Sequence, residues 1–470
     1  MTYLLIVAVI VLLGTGLVAA AIGWPRDRVA WGLVAGLGLF VGMVACAVLA
    51  GLLMPERTDR LPLRVPIAAA LIAVAAWGFA WLRRATAQPA PAPARSRGAR
   101  ILWWAAWVLA TVHLWPLARE IWLRPAFPWD AWATWLIKPK AWFLSGRFEP
   151  YVAPADWLAG EGTRTMVGWN YPELSAWLQL LLAQARGGWE EPLLLLPWFA
   201  LLVALLVGVY ALARRLDVAP VGAAVAAYAL ASMPLLDSHV ALAGYLDLWV
   251  ATAVVFALGA WLCWLREPRS RGCLVLAIGL AACLPLLKRE GAVWLALLAG
   301  LMVYARCGPR LRRGMLLSGG VLAGVLVLAV LVAGDAINGW LAGTALIPNP
   351  GQTEGPILAW RPEGLAIVVA SFGADNWHLL MLALVLIVPC RWWRLREDPR
   401  ARLVGLFLST GWIFLLFLFC LTPASSWAQS ETAAHRLVMH LVPATVLWLA
   451  LLFGDSPNPS RTAGESDGVR

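Results

Sequence analysis

The segment FPWDAWATWLIKPKAWFLSG, residues 127–146, decides how the chain is read. Trp132, Trp135, Leu136, Pro139, Trp142 and Phe143 recur at steps of three and four, the spacing of one helix face. Thr134, Lys138 and Lys140 fall on the other face. Four tryptophans and two lysines directly after an apolar run are the composition of a helix lying in the membrane interface. Asp130 stands just ahead of the first turn. There it either caps free backbone N–H groups at the positive end of the helix dipole or serves as a general base.

Most of the chain around this segment is apolar. The chain is 61% hydrophobic with a mean hydropathy of +0.76, and many runs are long enough to cross a bilayer. We read an all-α polytopic membrane protein with about thirteen spans and two interfacial helices in its first large loop. The net charge of +11 is spread over connectors between apolar runs, which excludes a nucleic-acid-binding face and matches the positive-inside pattern. The seven cysteines form no CxxC pair, so neither a zinc site nor a disulfide framework is indicated. The first apolar run has no basic region ahead of it and reads as a span, not a secretory signal.

The chain divides at RRATAQPAPAPARSRGAR, residues 83–100, a Pro/Ala-rich connector with five arginines. Residues 1–82 form an N-terminal module of three spans, and 83–100 a cytoplasmic linker. Residues 101–454 form the membrane core, and 455–470 a disordered cytoplasmic tail. Within the core, 124–191 is a long polar excursion. Its second helix is expected in NYPELSAWLQLLLAQARGG, with Pro172 in the first turn and Gly187 and Gly188 ending it. A single span is expected over 240–264, another over 376–390, and a second loop over 335–375. The connectors at 214–215, 266–271, 306–313 and 391–402 carry arginine and share the linker's side. The loops share the other, outward side.

Several polar residues on that outward side are out of place in an apolar chain. DSHVALAGYLDLW puts Asp237 and His239 at one span's mouth and Tyr245 and Asp247 further along. A carboxylate in an apolar run marks a functional site or a buried pair. LLKREG puts Lys288, Arg289 and Glu290 in a tight turn, against the positive-inside bias. His435 and Arg436 open the last span, with His440 one turn deeper. Tyr171 and Glu173 lie at the start of the second helix of the long excursion. Each has a plain alternative: a surface turn for Lys288–Glu290, a packing hydrogen bond for Asp247, a snorkelling anchor for Arg436. Together, a carboxylate on an interfacial segment and cations at the same level suit holding a lipid phosphate while what it carries is transferred.

In these motifs, WDAW followed by KPKAWFLSG, then NYPEL, GYLDLW, LLKREG and HRL with a later proline, the chain resembles the integral-membrane glycosyltransferases of the C superfamily. Protein O-mannosyltransferases and lipid A aminoarabinose transferases belong to it. The resemblance covers about residues 101–453 and rests on the order of short motifs. It implies a GT-C-like helix bundle in a bacterial cytoplasmic membrane, with an outward active site and inverting sugar transfer to an acceptor hydroxyl. It implies Asp130 as catalytic base and Lys288, Arg289 and Arg436 as the donor-phosphate ligands. Tyr171, Glu173, Tyr245, Asp247, Glu290 and His435 are the substrate-binding candidates. The implied partners are a polyprenyl-phosphate-sugar donor, a glycan, lipid or protein acceptor, and membrane lipids. No cofactor is required and no metal ligand set is indicated. The chain departs from the family in its three extra N-terminal spans and in lacking a second acidic residue beside Asp130. The rival readings are a surface-polysaccharide polymerase or ligase, a lipid-linked glycan transporter, and a non-catalytic membrane partner.

Overall fold

The computed structural model describes residues 2–54, 57–84, 96–342, 357–430 and 433–454. Most of the Pro/Ala linker and the 455–470 tail lie outside the described residues. Among those described there is no strand, only two isolated bridges.

The N-terminal helices are α1 (Thr2–Ile22), α2 (Arg28–Leu52) and α3 (Leu61–Leu82), followed by α4 (Arg97–Leu123). The long excursion holds one π-helical turn at Ala131–Trp135, then α5 (Ile137–Ser145), α6 (Pro154–Leu158) and α7 (Leu174–Arg186). Next come α8 (Glu191–Arg215), α9 (Pro220–Ala231), α10 (Pro234–Ala241) and α11 (Asp247–Arg266). They are followed by α12 (Arg271–Ala282), α13 (Leu284–Leu287), α14 (Gly291–Arg306) and α15 (Pro309–Ala342). The chain closes with α16 (Ala366–Gly373), α17 (Leu380–Cys390), α18 (Trp392–Glu397), α19 (Pro399–Leu421), α20 (Ser425–Gln429), α21 (Ala434–Met439) and α22 (Val442–Leu452).

Local signals start and stop these helices. Asp27 accepts from Ala30 N at 2.8 Å and Ser96 from Ala99 N at 3.2 Å, each capping a helix start. Proline occupies the first turn of α8, α9, α10 and α19, where no N–H is needed. Among the described residues, eight helices are long and apolar enough to cross a membrane, or nine if the bent pair α9–α10 is one span. The protein is a polytopic membrane protein.

The core is α11. Every residue from Asp247 to Trp264 is buried, and α8, α12 and α22 pack around it. A helix buried on all sides needs no polar face, and this one reads as an almost continuous apolar run. The three N-terminal helices pack directly on the remainder of the bundle. Gly36 of α2 meets Gly208 of α8, where a Cβ would come within 2.4 Å of backbone, so the two helices touch at main-chain distance. Phe40 of α2 then lies edge-on to Phe256 of α11, with ring centroids 5.9 Å apart.

Four expectations change. The first interfacial helix is not one regular helix: in the π-turn Leu136 N donates to Ala131 O at 2.7 Å, and this wider turn leaves Trp132 exposed and Trp135 buried. The second, α7, begins at Leu174, after Pro172, and is buried under α1, α2 and α3 instead of resting on a surface. The expected span over 240–264 is broken, because α10 ends at Ala241 and Gly244 takes a φ of +127° before α11 starts at Asp247. The expected loop over 335–375 begins later, since α15 runs on to Ala342.

The close approach of Gly36 and Gly208 yields a test. Gly36→Val places branched carbon against backbone, and we expect a loss of about 1–3 kcal/mol, read as a lower thermal midpoint in detergent. Gly279→Ala, where a Cβ meets nothing within 4 Å, leaves the midpoint unchanged.

Candidate functional site

The helix breaks converge on one end of the bundle. Gly244 presses the α10–α11 turn onto the start of the π-turn: a Cβ there would lie 2.3 Å from the Ala131 side chain. Only glycine combines this contact with a positive φ. Asp130, one residue before Ala131, is thereby held beside the start of α21. Its backbone is helical and its side chain makes no capping bond, so the capping role is overturned. Instead Arg436 Nη1 donates to Asp130 Oδ2 at 2.5 Å.

The deepest member is Asp247, 1% exposed. Lys288 Nζ donates to its Oδ1 at 2.7 Å, and Arg436 Nη1 lies 4.0 Å from its Oδ2. His440 Nε2 lies 3.1 Å from Oδ1, while Trp294 Nε1 donates to His440 Nδ1 at 2.8 Å. An indole N–H can only donate, so Nδ1 is an acceptor and the His440 proton sits on Nε2, directed at Asp247. The buried carboxylate thus takes hydrogen bonds from Lys288 and His440, with Arg436 as a second cation at ion-pair distance. Lys288 also lies 3.6 Å from Glu290 Oε1. Burial alone lowers the Lys288 pKa, but the charges of Asp247 and Glu290 outweigh it and hold the ammonium above the ordinary lysine value.

Around this core stand the aromatic candidates. Arg436 lies 4.9 Å from the centre of the Tyr245 ring. The Tyr245 phenol is pushed up by burial and by Asp130, so it stays a donor at neutral pH. Tyr171 is raised by burial and then by Glu290, which places it within electrostatic reach of the Lys288 turn. It packs on Trp135 at 4.9 Å between centroids. Arg289 is exposed on the same turn. His435 is buried in the turn of α21 that carries Arg436.

The structure therefore brings together Asp130, Arg436, Tyr245, Asp247, Lys288 and Glu290. Glu173 is held differently. Buried Lys138 donates to Glu173 Oε1 at 3.2 Å, to Trp169 O at 2.8 Å and to Tyr171 O at 3.1 Å, stapling α5 to the entry of α7. Sequence reasoning named His440 without placing it among the site residues, and left out Trp294. His440 had a signal, since it lies four residues after Arg436 and so on the same helix face. Trp294 had none among so many tryptophans. A second pair, His113 and Asp237 at 2.5 Å, lies between α4 and α10. Among the described residues no group of three His, Cys, Asp or Glu could hold a metal ion.

Two buried atoms of the main cluster, Arg436 Nε and Glu290 Oε2, have no partner among the described residues. One donor and one acceptor of the cluster thus call for a partner that bound water or a ligand would supply. Comparison with protein-family models, curated proteins and solved structures finds no match for this chain.

Lys288→Met leaves Asp247 short of its main cation and is expected to cost about 3–5 kcal/mol in unfolding. Lys288→Met combined with Asp247→Asn removes both charges. It recovers at least half of that loss, read by denaturant titration of both variants against wild type.

Proposed function

We propose that the protein is a GT-C-like glycosyltransferase that moves a sugar from a polyprenyl-phosphate carrier to an acceptor hydroxyl at the outer face of a bacterial cytoplasmic membrane. The observation that carries this reading is the pairing of half-exposed Asp130 with Arg436, above a buried cluster that keeps two cations at one membrane level. A phosphate needs such cations, and an attacking hydroxyl needs such a carboxylate. The eight long apolar helices, or nine with the bent pair, together with shorter apolar helices such as α12–α13, α14 and α17, are in keeping with the large helix bundle this reading requires. Arginines gather at the end of the bundle opposite the site, where Arg215 pairs with Glu267 and Arg266 with Asp217. The positive-inside bias makes that end cytoplasmic and the site outward. A nucleotide-sugar is cytoplasmic, so an outward site calls for a lipid-linked donor.

In this mechanism the donor phosphate competes with Asp130 for Arg436. Once Arg436 turns to the phosphate, the Asp130 carboxylate is free to take the proton of the acceptor hydroxyl. The acceptor oxygen attacks the anomeric carbon, the bond from that carbon to the phosphate oxygen breaks, and the electron pair leaves on the carrier phosphate. Arg436, exposed Arg289 and the positive end of the Lys288 turn meet the charge that develops there. A single displacement inverts the anomeric carbon. Asp247, His440 and Trp294 hold Lys288 and Arg436 in place and touch no substrate.

The test is sugar release from a panel of undecaprenyl-phosphate sugars, with an envelope extract as acceptor. Asp130→Asn is expected to lower turnover by roughly 10²–10⁴-fold. It also binds bare undecaprenyl phosphate at least as tightly as wild type, because Arg436 has lost its competitor. Arg436→Ala loses both turnover and carrier binding. Full activity in Asp130→Asn would sink its role as base, and wild type releasing no sugar from any donor would count against the transferase.

A further inference from the structure

Helix α10 contributes one buried group that the proposed mechanism does not use. His239 is 4% exposed, and its Nδ1 lies 2.8 Å from Leu235 O. A carbonyl oxygen only accepts, so Nδ1 carries the proton and the neutral ring leaves Nε2 as a bare lone pair. That atom is buried and has no partner among the described residues. The ring packs on Tyr245 with centroids 5.3 Å apart, and Tyr245 is the ring that receives Arg436. His239 is also within electrostatic reach of Asp247, Arg436 and Lys288. It therefore lies in the cluster's own neighbourhood, against the ring that Arg436, the partner of Asp130, approaches.

Packing does not account for a histidine here, since phenylalanine would fill the volume without an unpaired acceptor. His239 Nε2 and Glu290 Oε2 are two unfilled acceptors, and Arg436 Nε is one unfilled donor. An anion by itself satisfies only the donor. A ligand that satisfies all three has an anionic oxygen and hydroxyl groups together.

We infer that His239 and Glu290 form a hydroxyl-reading subsite, accepting hydrogen bonds from the ring hydroxyls of the sugar while Arg436 takes its phosphate. This rests on the glycosyltransferase reading for the donor and assigns the residues that tell a loaded carrier from an empty one. A site built to accept from hydroxyls rejects a ligand that lacks them, because its buried acceptors then stay unpaired.

The experiment measures the affinity of full-length protein in detergent for bare undecaprenyl phosphate and for a panel of undecaprenyl-phosphate hexoses and pentoses. Wild type is expected to prefer at least one sugar-bearing lipid by about tenfold, the worth of one or two hydrogen bonds. His239→Phe erases most of that preference, keeps the affinity for bare carrier, and melts no lower than wild type when no ligand is added. His239→Gln, which returns an acceptor near the Nε2 position, keeps the preference. A preference that survives His239→Phe overturns the subsite and leaves the transferase reading standing. A low-melting His239→Phe that loses both affinities, with His239→Gln equally impaired, makes His239 a packing residue and also overturns it. Wild type that binds bare carrier as tightly as every loaded one overturns both readings.

Discussion

A single carboxylate in an apolar bundle, Asp247, is the constraint that orders this end of the protein. Its charge is taken out of water at the first turn of the most buried helix, and an ion so placed is tolerated only with donors around it. Its partners come from two distant parts of the chain: Lys288 before α14, and the α21 segment that carries Arg436 and ends at His440. Meeting the needs of one side chain therefore fixes where three helix ends must lie. Arg436, oriented from below by Asp247, carries that order upward to Asp130.

Regular helices could not have delivered these groups. The chain breaks at Gly244, between α13 and α14, and at His440, and widens into a π-turn after Asp130. Irregular backbone is tolerated at membrane depth only where it is buried in protein or lines a cavity, because its freed N–H and C=O groups need partners. Trp198 shows one such repair, donating to Tyr245 O at 2.6 Å in the broken turn. The distortions and the polar residues thus occur together for one reason, since each break turns side chains inward that a continuous helix would spread around its circumference.

The helical class and the membrane setting were legible in composition and run length, because both follow from the bilayer's demand for apolar length. The C-terminal end of α7 was legible too, from Gly187, and the charges that have no place in apolar runs marked residues that the structure gathers at one end. The break at Gly244 was not, although the glycine was visible. A lone glycine in an apolar run has many uses, and only its contact with Ala131 shows which one applies. Asp130 illustrates the same limit. Its local setting satisfied every rule for a helix cap, and a partner 306 residues away took the carboxylate instead. Trp294 was illegible because its role is set by a single N–H, which composition does not reveal.

The burial of α7 has a consequence for how the protein is made. This helix lies in the long segment after α4, yet much of what covers it, α1, α2 and α3, is translated before it. Leu178, Leu180, Leu181 and Leu182 are each nearly or wholly enclosed, and Trp177 stacks on Trp142 at 4.8 Å beside Gly51 of α2. The ribosome therefore delivers the roof before the beam. Emerging α7 meets a waiting apolar surface, which spares an amphipathic segment from wandering in the interface while the rest of the bundle inserts.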